Sequence, residues 1–422
     1  MGMRIRFGER QRLAVAAIAF TVSLLATVAG GLLRPSDAPA EPADGGAAAT
    51  AAAPQAVKVD PRVIPVGIAY GDTLTWKSDK DLAAGLDDAV NTGSQWIRVD
   101  LSWNNIQPEN NGRYEWHRFD RVVDAANARN LKVLATIAYT PAWARKSGCG
   151  SDPSCPPAKP EQFAAFAKAA AQRYAPKGVH TWEVWNEPNL PFWAPKPDPA
   201  GYTKLLDVTS KALRAADSKA FLLLGGLGAV GTDPSLGYVS QTEFLEAVCK
   251  LGANRMVDAI SYHPYTYPYL PSAKTSFGTA MEQISSTKDN LVGVLAANGT
   301  PDLPVWLTET GAPTNGPGTA TDGKNFGSET THVTEEYQAQ IAADTVPAAV
   351  ANPHVGAVFW FADQDTGRDK DKQRRSLFYG LRHYDGRAKP ALEAWKGAVT
   401  AYERTLAPAS APAGPPSTSA AG

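Results

Sequence analysis

The chain has 422 residues, 44% of them hydrophobic, enough apolar material for one large domain or two ordinary ones; this excludes a small fold that depends on staples. Its 41 Lys and Arg nearly balance 42 Asp and Glu, so no overall field draws a polyanion such as nucleic acid, and a neutral substrate fits better. The 11 tryptophans supply flat indole faces suited equally to sugar rings and to core packing.

Residues 1–12 are basic, with Arg4, Arg6, Arg10 and Arg12, and an uncharged apolar run follows over 13–33. The run is long enough to span a bilayer and exceeds the core of a usual cleaved signal. The expectation is therefore an uncleaved signal-anchor with its basic flank in the cytoplasm, ahead of a cleaved export signal. Residues 34–59 are almost entirely Ala, Pro, Gly, Asp and Glu and read as a linker, and 405–422 read as a disordered Pro/Ala-rich tail. Between them, 60–404 show no break in composition. They read as a single catalytic domain, monomeric and extracytoplasmic, either membrane-anchored or secreted.

Within that domain eight short β-branched or aromatic runs alternate with helical patterns. The runs are 63–70, 96–101, 132–139, 180–186, 221–225, 259–263, 305–310 and 355–361. Between them lie amphipathic stretches such as FDRVVDAANARN, with Phe119, Val122, Val123 and Ala126 on one face, and PEQFAAFAKAAAQRYA, with Phe163, Phe166 and Ala170. Alternating β and α units build a parallel sheet, and eight of them predict an α/β fold of the (β/α)8 TIM-barrel type. A doubly wound sheet is the alternative. The domain exceeds the ~250 residues of a typical barrel, which predicts long loops.

In a barrel, the polar residues at the C-terminal strand ends are the informative ones. The fourth strand ends in HTWEVWNEPNLPFW, placing Asn186 and Glu187 where an apolar run meets Pro188, and the seventh ends in PVWLTETGAP, placing Glu309 at the equivalent boundary. Two carboxyls facing each other across a pocket suit glycoside cleavage: one protonates the departing oxygen and the other attacks or supports the anomeric carbon. The plainer alternative is that each glutamate caps a helix or pairs with an arginine. Cys149 and Cys155, in the loop sequence GCGSDPSCPP, would form a disulfide in an exported chain and remain thiols otherwise. Cys249 reads as a buried thiol.

Three fragments, WEVWNEPN, WLTETG and WNNIQPENNGRYEWHRFDRVVDAANARNLKVLATIAYTPAWA, resemble clan A glycoside hydrolases. They are most similar to family 39 and its exopolysaccharide-degrading relatives, and more distantly to family 5 cellulases. The resemblance runs from the first strand to YDGRAKPALEAW. It implies a retaining glycosidase that cleaves an extracellular or cell-envelope polysaccharide or oligosaccharide, with Glu187 as acid/base and Glu309 as nucleophile. It also implies that Asn186 contacts the sugar 2-hydroxyl and that Arg98, in WIRVDL, keeps the nucleophile ionised, against the alternative of an ion pair with Asp100. His263 and Tyr265, in ISYHPYTYPYL, match the clan's His-x-Tyr element. Trp360, in VFWFADQD, corresponds to the tryptophan that floors the reacting subsite. Trp103, Trp143 and Trp193 lie in loops where they would line further subsites.

No metal or cofactor is expected: the six histidines lack ligand spacing. Gly226, Gly228 and Gly231 spell G-x-G-x-x-G after a strand, but TDPSLGYVSQ follows instead of a helix, so a dinucleotide site is not expected. The rival readings are a non-catalytic, carbohydrate-binding cell-wall protein and a transglycosylase.

Overall fold

The computed structural model describes residues 63–406; the basic segment, the apolar run, the linker and residues 407–422 lie outside the described residues. Eight parallel strands close into a barrel in the order β1-β10-β7-β6-β5-β4-β3-β2. They are β1 (Val66–Gly71), β2 (Trp96–Ser102), β3 (Lys132–Ala138), β4 (Thr181–Asn186), β5 (Phe221–Gly228), β6 (Ala259–His263), β7 (Val305–Thr310) and β10 (Val355–Phe361). The chain is therefore a (β/α)8 barrel in a single domain, and the doubly wound alternative is excluded. Each expected strand is present, though β1 starts at Val66 and β5 continues through Gly225 to Gly228. That continuation removes the tight turn a dinucleotide fingerprint needs.

The length beyond a minimal barrel sits in the connections. A two-stranded ribbon, β8 (Thr319–Thr321) with β9 (Thr330–Val333), occupies the long connection after β7 and was not expected from its short polar sequence. The principal helices are α1 (Thr73–Trp76), α2 (Asp79–Asn91), α3 (Trp103–Ile106), α4 (His117–Asn127), α5 (Pro160–Tyr174), α6 (Pro199–Ala216), α7 (Gln241–Lys250), α8 (Leu291–Ala297), α9 (Glu335–Ala351) and α10 (Pro390–Leu406). Their starts follow local chemistry. Ser78, Asp198, Ser240, Asn290 and Thr334 each accept a backbone N–H of the first turn of α2, α6, α7, α8 and α9. The faces expected of α4 and α5 are the buried ones.

Strand alternation divides the core in two. Ile97, Val99, Trp182, Val184, Ile260, Leu307, Val358 and Trp360 pack outward against the helices. Ala69, Leu134, Leu223, Ala259, Trp306, Ala357 and Phe359 fill the barrel interior, with Trp96 and Phe221 packed on them. Above this apolar floor the inward positions turn polar: Arg98, Thr136, Glu183, Ser261 and Thr308 are all buried.

Candidate active site

At the C-terminal rim the strict alternation breaks, and the breaks aim the site. Between β10 and β7 the register shifts: Val358 faces Leu307 but Trp360 faces Thr310, so β7 carries one residue more than its neighbour. Thr308 and Glu309, consecutive in sequence, consequently both reach the inside, as a bulge allows. On β4 the same end is met through the backbone. Trp185 and Glu187 have φ of 75° and 45°, left-handed values that non-glycine residues adopt only where the surroundings hold them. Trp185 is held by its indole N–H, which donates to Phe192 O at 2.7 Å, and Glu187 N–H donates to Gly226 O at 2.9 Å. Gly226 matters for a second reason: a Cβ there would collide with the His263 ring, so this glycine makes room for the histidine.

Arg98 organises the centre. Its Nε donates to Glu183 Oε2 at 2.6 Å, one terminal nitrogen to Glu309 Oε1 at 2.6 Å, and the other to Asn186 Oδ1 at 2.8 Å. The Tyr265 hydroxyl donates to the other oxygen of Glu309 at 2.7 Å. His263 Nδ1 lies 2.9 Å from Glu187 Oε1 and 3.8 Å from Glu309 Oε2, so both carboxyls stand around one ring nitrogen. Glu187 Oε2 is buried without a hydrogen-bond partner. Leaving such a group unmade costs ~1–3 kcal/mol, which a ligand oxygen there would recover.

The two glutamates differ in environment. Burial pushes the Glu187 carboxyl well above the ordinary carboxylate range, and the Glu309 charge pushes it further. Burial raises Glu309 too, but Arg98 and the Tyr265 hydrogen bond pull it back. Burial works against the charge on Arg98, yet Glu183 and Glu309 more than offset it and hold the guanidinium charged. Burial, then Arg98, push His263 well below its usual range, so the ring is neutral.

The proton count then fixes a direction. The Thr308 hydroxyl donates its one proton to Glu183 Oε1 at 3.0 Å. Its oxygen therefore accepts from His263 Nε2, 3.1 Å away, and His263 Nδ1 presents a lone pair to Glu187 Oε1. That arrangement matches a protonated Glu187.

The site opens into a cleft of about 370 Å³, whose lining includes Glu309, Asn186, Asp72, Asp100, Tyr139, Phe192, Phe361 and Tyr379. Asp100 is buried there, and burial, with Asp72 and Glu309 adding to it against Arg98, raises its carboxyl to about 7.

Of the expected residues, Glu187, Glu309, Arg98, Asn186, His263 and Tyr265 come together. Arg98 bonds Glu309 and Glu183, and no hydrogen bond to Asp100 takes their place. Trp360 needs correction: it is fully buried, faces out of the barrel against Trp395 at 5.8 Å, and cannot floor a subsite. Strand parity is the reason, since Phe359 and Phe361 point inward, and Phe361 is the β10 aromatic that lines the cleft. Trp103, at the start of α3, and Trp193, against Trp185 and Tyr202, are buried and structural, whereas Trp143 is half-buried, packs edge-on to Trp103 at 5.4 Å and donates to Gln107 O. Cys149 and Cys155 are bonded to each other, tying a loop whose Ser151 and Pro153 wall the cleft, and Cys249 is a buried free thiol.

Sequence reasoning missed Glu183, Thr308 and Thr136, whose hydroxyl donates to Glu183 Oε2 at 2.7 Å. The available signal was a charged residue in the middle of the otherwise apolar strand TWEVWN.

The family model of the cellulases (glycosyl hydrolase family 5) matches residues 59–364. Among solved structures, a family 39 glycoside hydrolase from Bacteroides cellulosilyticus WH2 superposes with a TM-score of 0.60 at 22% identity, over 80% of this chain and 64% of that one. The present chain thus spans just under two thirds of that protein. A monomeric β-xylosidase from Caulobacter crescentus CB15 gives 0.54 at 19% identity, over 80% of this chain and 69% of that one. An exo-β-1,4-mannosidase from Opitutaceae bacterium strain TAV5 gives 0.56 at 19%, over 83% and 62%. Among curated proteins none matches.

Proposed function

The chain belongs to the cellulase family, glycosyl hydrolase family 5, and is a glycosidase; from that premise we propose that it cleaves a β-linked polysaccharide with retention, Glu309 attacking and Glu187 donating the proton. The carrying observation is the asymmetry of the glutamate pair. Arg98 and Tyr265 hydrogen-bond the two oxygens of Glu309 and act against burial in favour of its carboxylate form, whereas Glu187 is buried, driven further toward the protonated form and left with one unpartnered oxygen.

In the first step a Glu309 oxygen forms a bond to the anomeric carbon as the glycosidic C–O bond breaks, and the Glu187 proton passes to the departing oxygen. In the second, water attacks the same carbon, Glu187 takes a proton from it, and Glu309 leaves as carboxylate. Asn186 spends its carbonyl oxygen on Arg98, which leaves its amide N–H groups for the sugar 2-hydroxyl. His263 and Tyr265 orient the two glutamates. The β configuration of the substrate is supported by the family's cellulases and by neighbours named as a β-xylosidase and a β-1,4-mannosidase.

An activated 2-deoxy-2-fluoro glycoside should trap an ester on the peptide that contains Glu309, and proton NMR should show the β product first. Glu187→Gln should lose about 10²–10⁴-fold in turnover of substrates with poor leaving groups. An inverted first product, or full activity in Glu309→Gln, would refute the assignment.

We also infer that the domain acts outside the cytoplasm on an envelope or extracellular glycan. The apolar run 13–33 and the Cys149–Cys155 bridge support this, since disulfides persist in oxidising compartments. Enzyme recovered wholly in the cytosolic fraction of its own cells would overturn it.

A further inference from the structure

Strand β2 brings Arg98, Asp100 and Ser102 to the inside of the rim, while Val99 and Leu101 between them pack outward. Two of the three are spoken for. Arg98 donates to Glu183, Glu309 and Asn186, and the Ser102 hydroxyl accepts the Asn105 N–H at the start of α3. Asp100 differs: it lines the cleft, is only 8% exposed, and has no hydrogen-bond or ion-pair partner among the described residues. Its neighbours do not supply one. Asp72 and Glu309 add like charge, and the Asp72 carboxylate already accepts the Trp76 indole N–H. Arg145, the one Lys or Arg in the cleft lining, donates instead to Thr140 O at 2.8 Å and to Asn104 Oδ1 at 2.9 Å.

The position of this carboxyl places it on the substrate. A sugar whose anomeric carbon meets Glu309 and whose 2-hydroxyl meets Asn186 lies over Arg98, which bonds both residues. Asp100 is the next inward residue of the same strand, roughly 7 Å further toward the rim, a reach that one sugar ring and its hydroxyls cover. The space beside it is open: a Cβ built on Gly71 would find only Asp100 Oδ2 within 4 Å, at 3.9 Å. A buried carboxyl left unmet is costly, and the loss is recovered when a donor arrives. The donors of a sugar are its hydroxyls.

We propose that Asp100 is a specificity-determining residue, whose carboxyl accepts a hydrogen bond from one hydroxyl, other than the 2-hydroxyl, of the sugar unit held over Glu309. The enzyme therefore selects sugars that carry that hydroxyl in reach of β2. This rests on the assignment of Glu309 as nucleophile, because that residue fixes which unit lies over Arg98.

The test measures kcat/KM for the full chain on 4-nitrophenyl β-glucosides, β-mannosides and β-xylosides of one to three units. The fastest substrate is then compared with forms lacking one hydroxyl at a time, the 2-hydroxyl excepted, on the unit that bears the nitrophenol. Wild type should lose roughly 10–100-fold at one of these positions, the range of a hydrogen bond to a charged group. Asp100→Ala should lose less than about three-fold at the same position, because the two deletions remove one interaction and do not add. At the other positions wild type and variant should lose equally, and Asp100→Asn, which keeps an acceptor without the charge, should fall between them. Labelling of Glu309 by the fluoro glycoside should persist in Asp100→Ala, separating a lost contact from a lost site; if it does not, Asp100→Asn carries the comparison. A wild type in which no single hydroxyl is worth more than about three-fold, or equal losses in wild type and variants at every position, would overturn the role of Asp100 and leave the glutamates in place. Full activity in Glu309→Gln, or no cleavage of any glycoside tested, would instead remove the reading beneath it.

Discussion

The floor and the rim of this barrel are built from the same eight strands under opposite rules. At the floor, apart from one register shift between Val355 and Ala357 of β10, inward positions alternate with outward ones and are filled by Trp96, Phe221, Trp306 and Phe359, so burial fixes the packing. At the rim, a register shift on β7 and left-handed residues on β4 bring neighbours in sequence onto the same side, and Arg98, Glu183, Thr308, His263 and the two glutamates bond to one another. The floor can lose shape without losing chemistry, whereas the rim cannot lose a single charge without changing several others.

Removing Arg98 breaks this comparison most severely. Arg98→Met leaves Glu183 and Glu309 buried without their counter-charge, and breaking a buried pair in this way costs about 3–5 kcal/mol. Glu309 should then gain a proton at higher pH, moving the acid limb of kcat/KM upward and removing the nucleophile at neutral pH. Urea unfolding and a pH–rate profile read the two effects. Phe359→Ala is the counterpart at the floor. It should cost about 3–5 kcal/mol in the same unfolding assay, with both limbs of the profile unmoved. A shift in either limb would show that floor and rim are coupled.

The same division explains what could be read from the sequence. The barrel, its eight strands and the faces of α4 and α5 follow from periodicity, which the floor and outer layer obey. Glu187 and Glu309 were visible because they stand as a pair at strand ends, in the fragments WEVWNEPN and WLTETG that carry the resemblance to clan A glycoside hydrolases. Trp360 was misplaced because parity along β10 was not counted: Phe359 and Phe361 point in, so Trp360 points out. Glu183 and Thr308 were missed for a different reason. Their role exists only through partners distant in sequence, Arg98 and His263, and no local pattern announces that pairing.

The Cys149–Cys155 bridge sits between the two regimes, structural in kind but part of the cleft wall. Its loop is short, so the chain-entropy model assigns it only about 2–3 kcal/mol. Cys155→Ser should lower stability by that amount. If Ser151 and Pro153 form a working wall, KM should rise while kcat holds. An unchanged KM would place the bridge with the floor, as a staple alone.

The smallest expected effect is the most specific to the rim. In the native arrangement Thr308 spends its proton on Glu183, so His263 keeps its own on Nε2 and offers a lone pair to Glu187, which favours the protonated acid. Thr308→Val deletes the acceptor for Nε2–H. The neutral ring then gains by moving its proton to Nδ1, where it donates to the ionised Glu187 and stabilises the carboxylate. The sign follows: Glu187 loses its proton at lower pH, so the alkaline limb of kcat/KM moves down while the acid limb, set by Glu309, stays. A change of one hydrogen bond between protonation states corresponds to roughly one pH unit, or ~1.4 kcal/mol. Thr308→Ser, which keeps the hydroxyl, should leave the limb in place. A uniform loss of rate with both limbs fixed would mean that Thr308 only packs, and that the proton on His263 is set elsewhere.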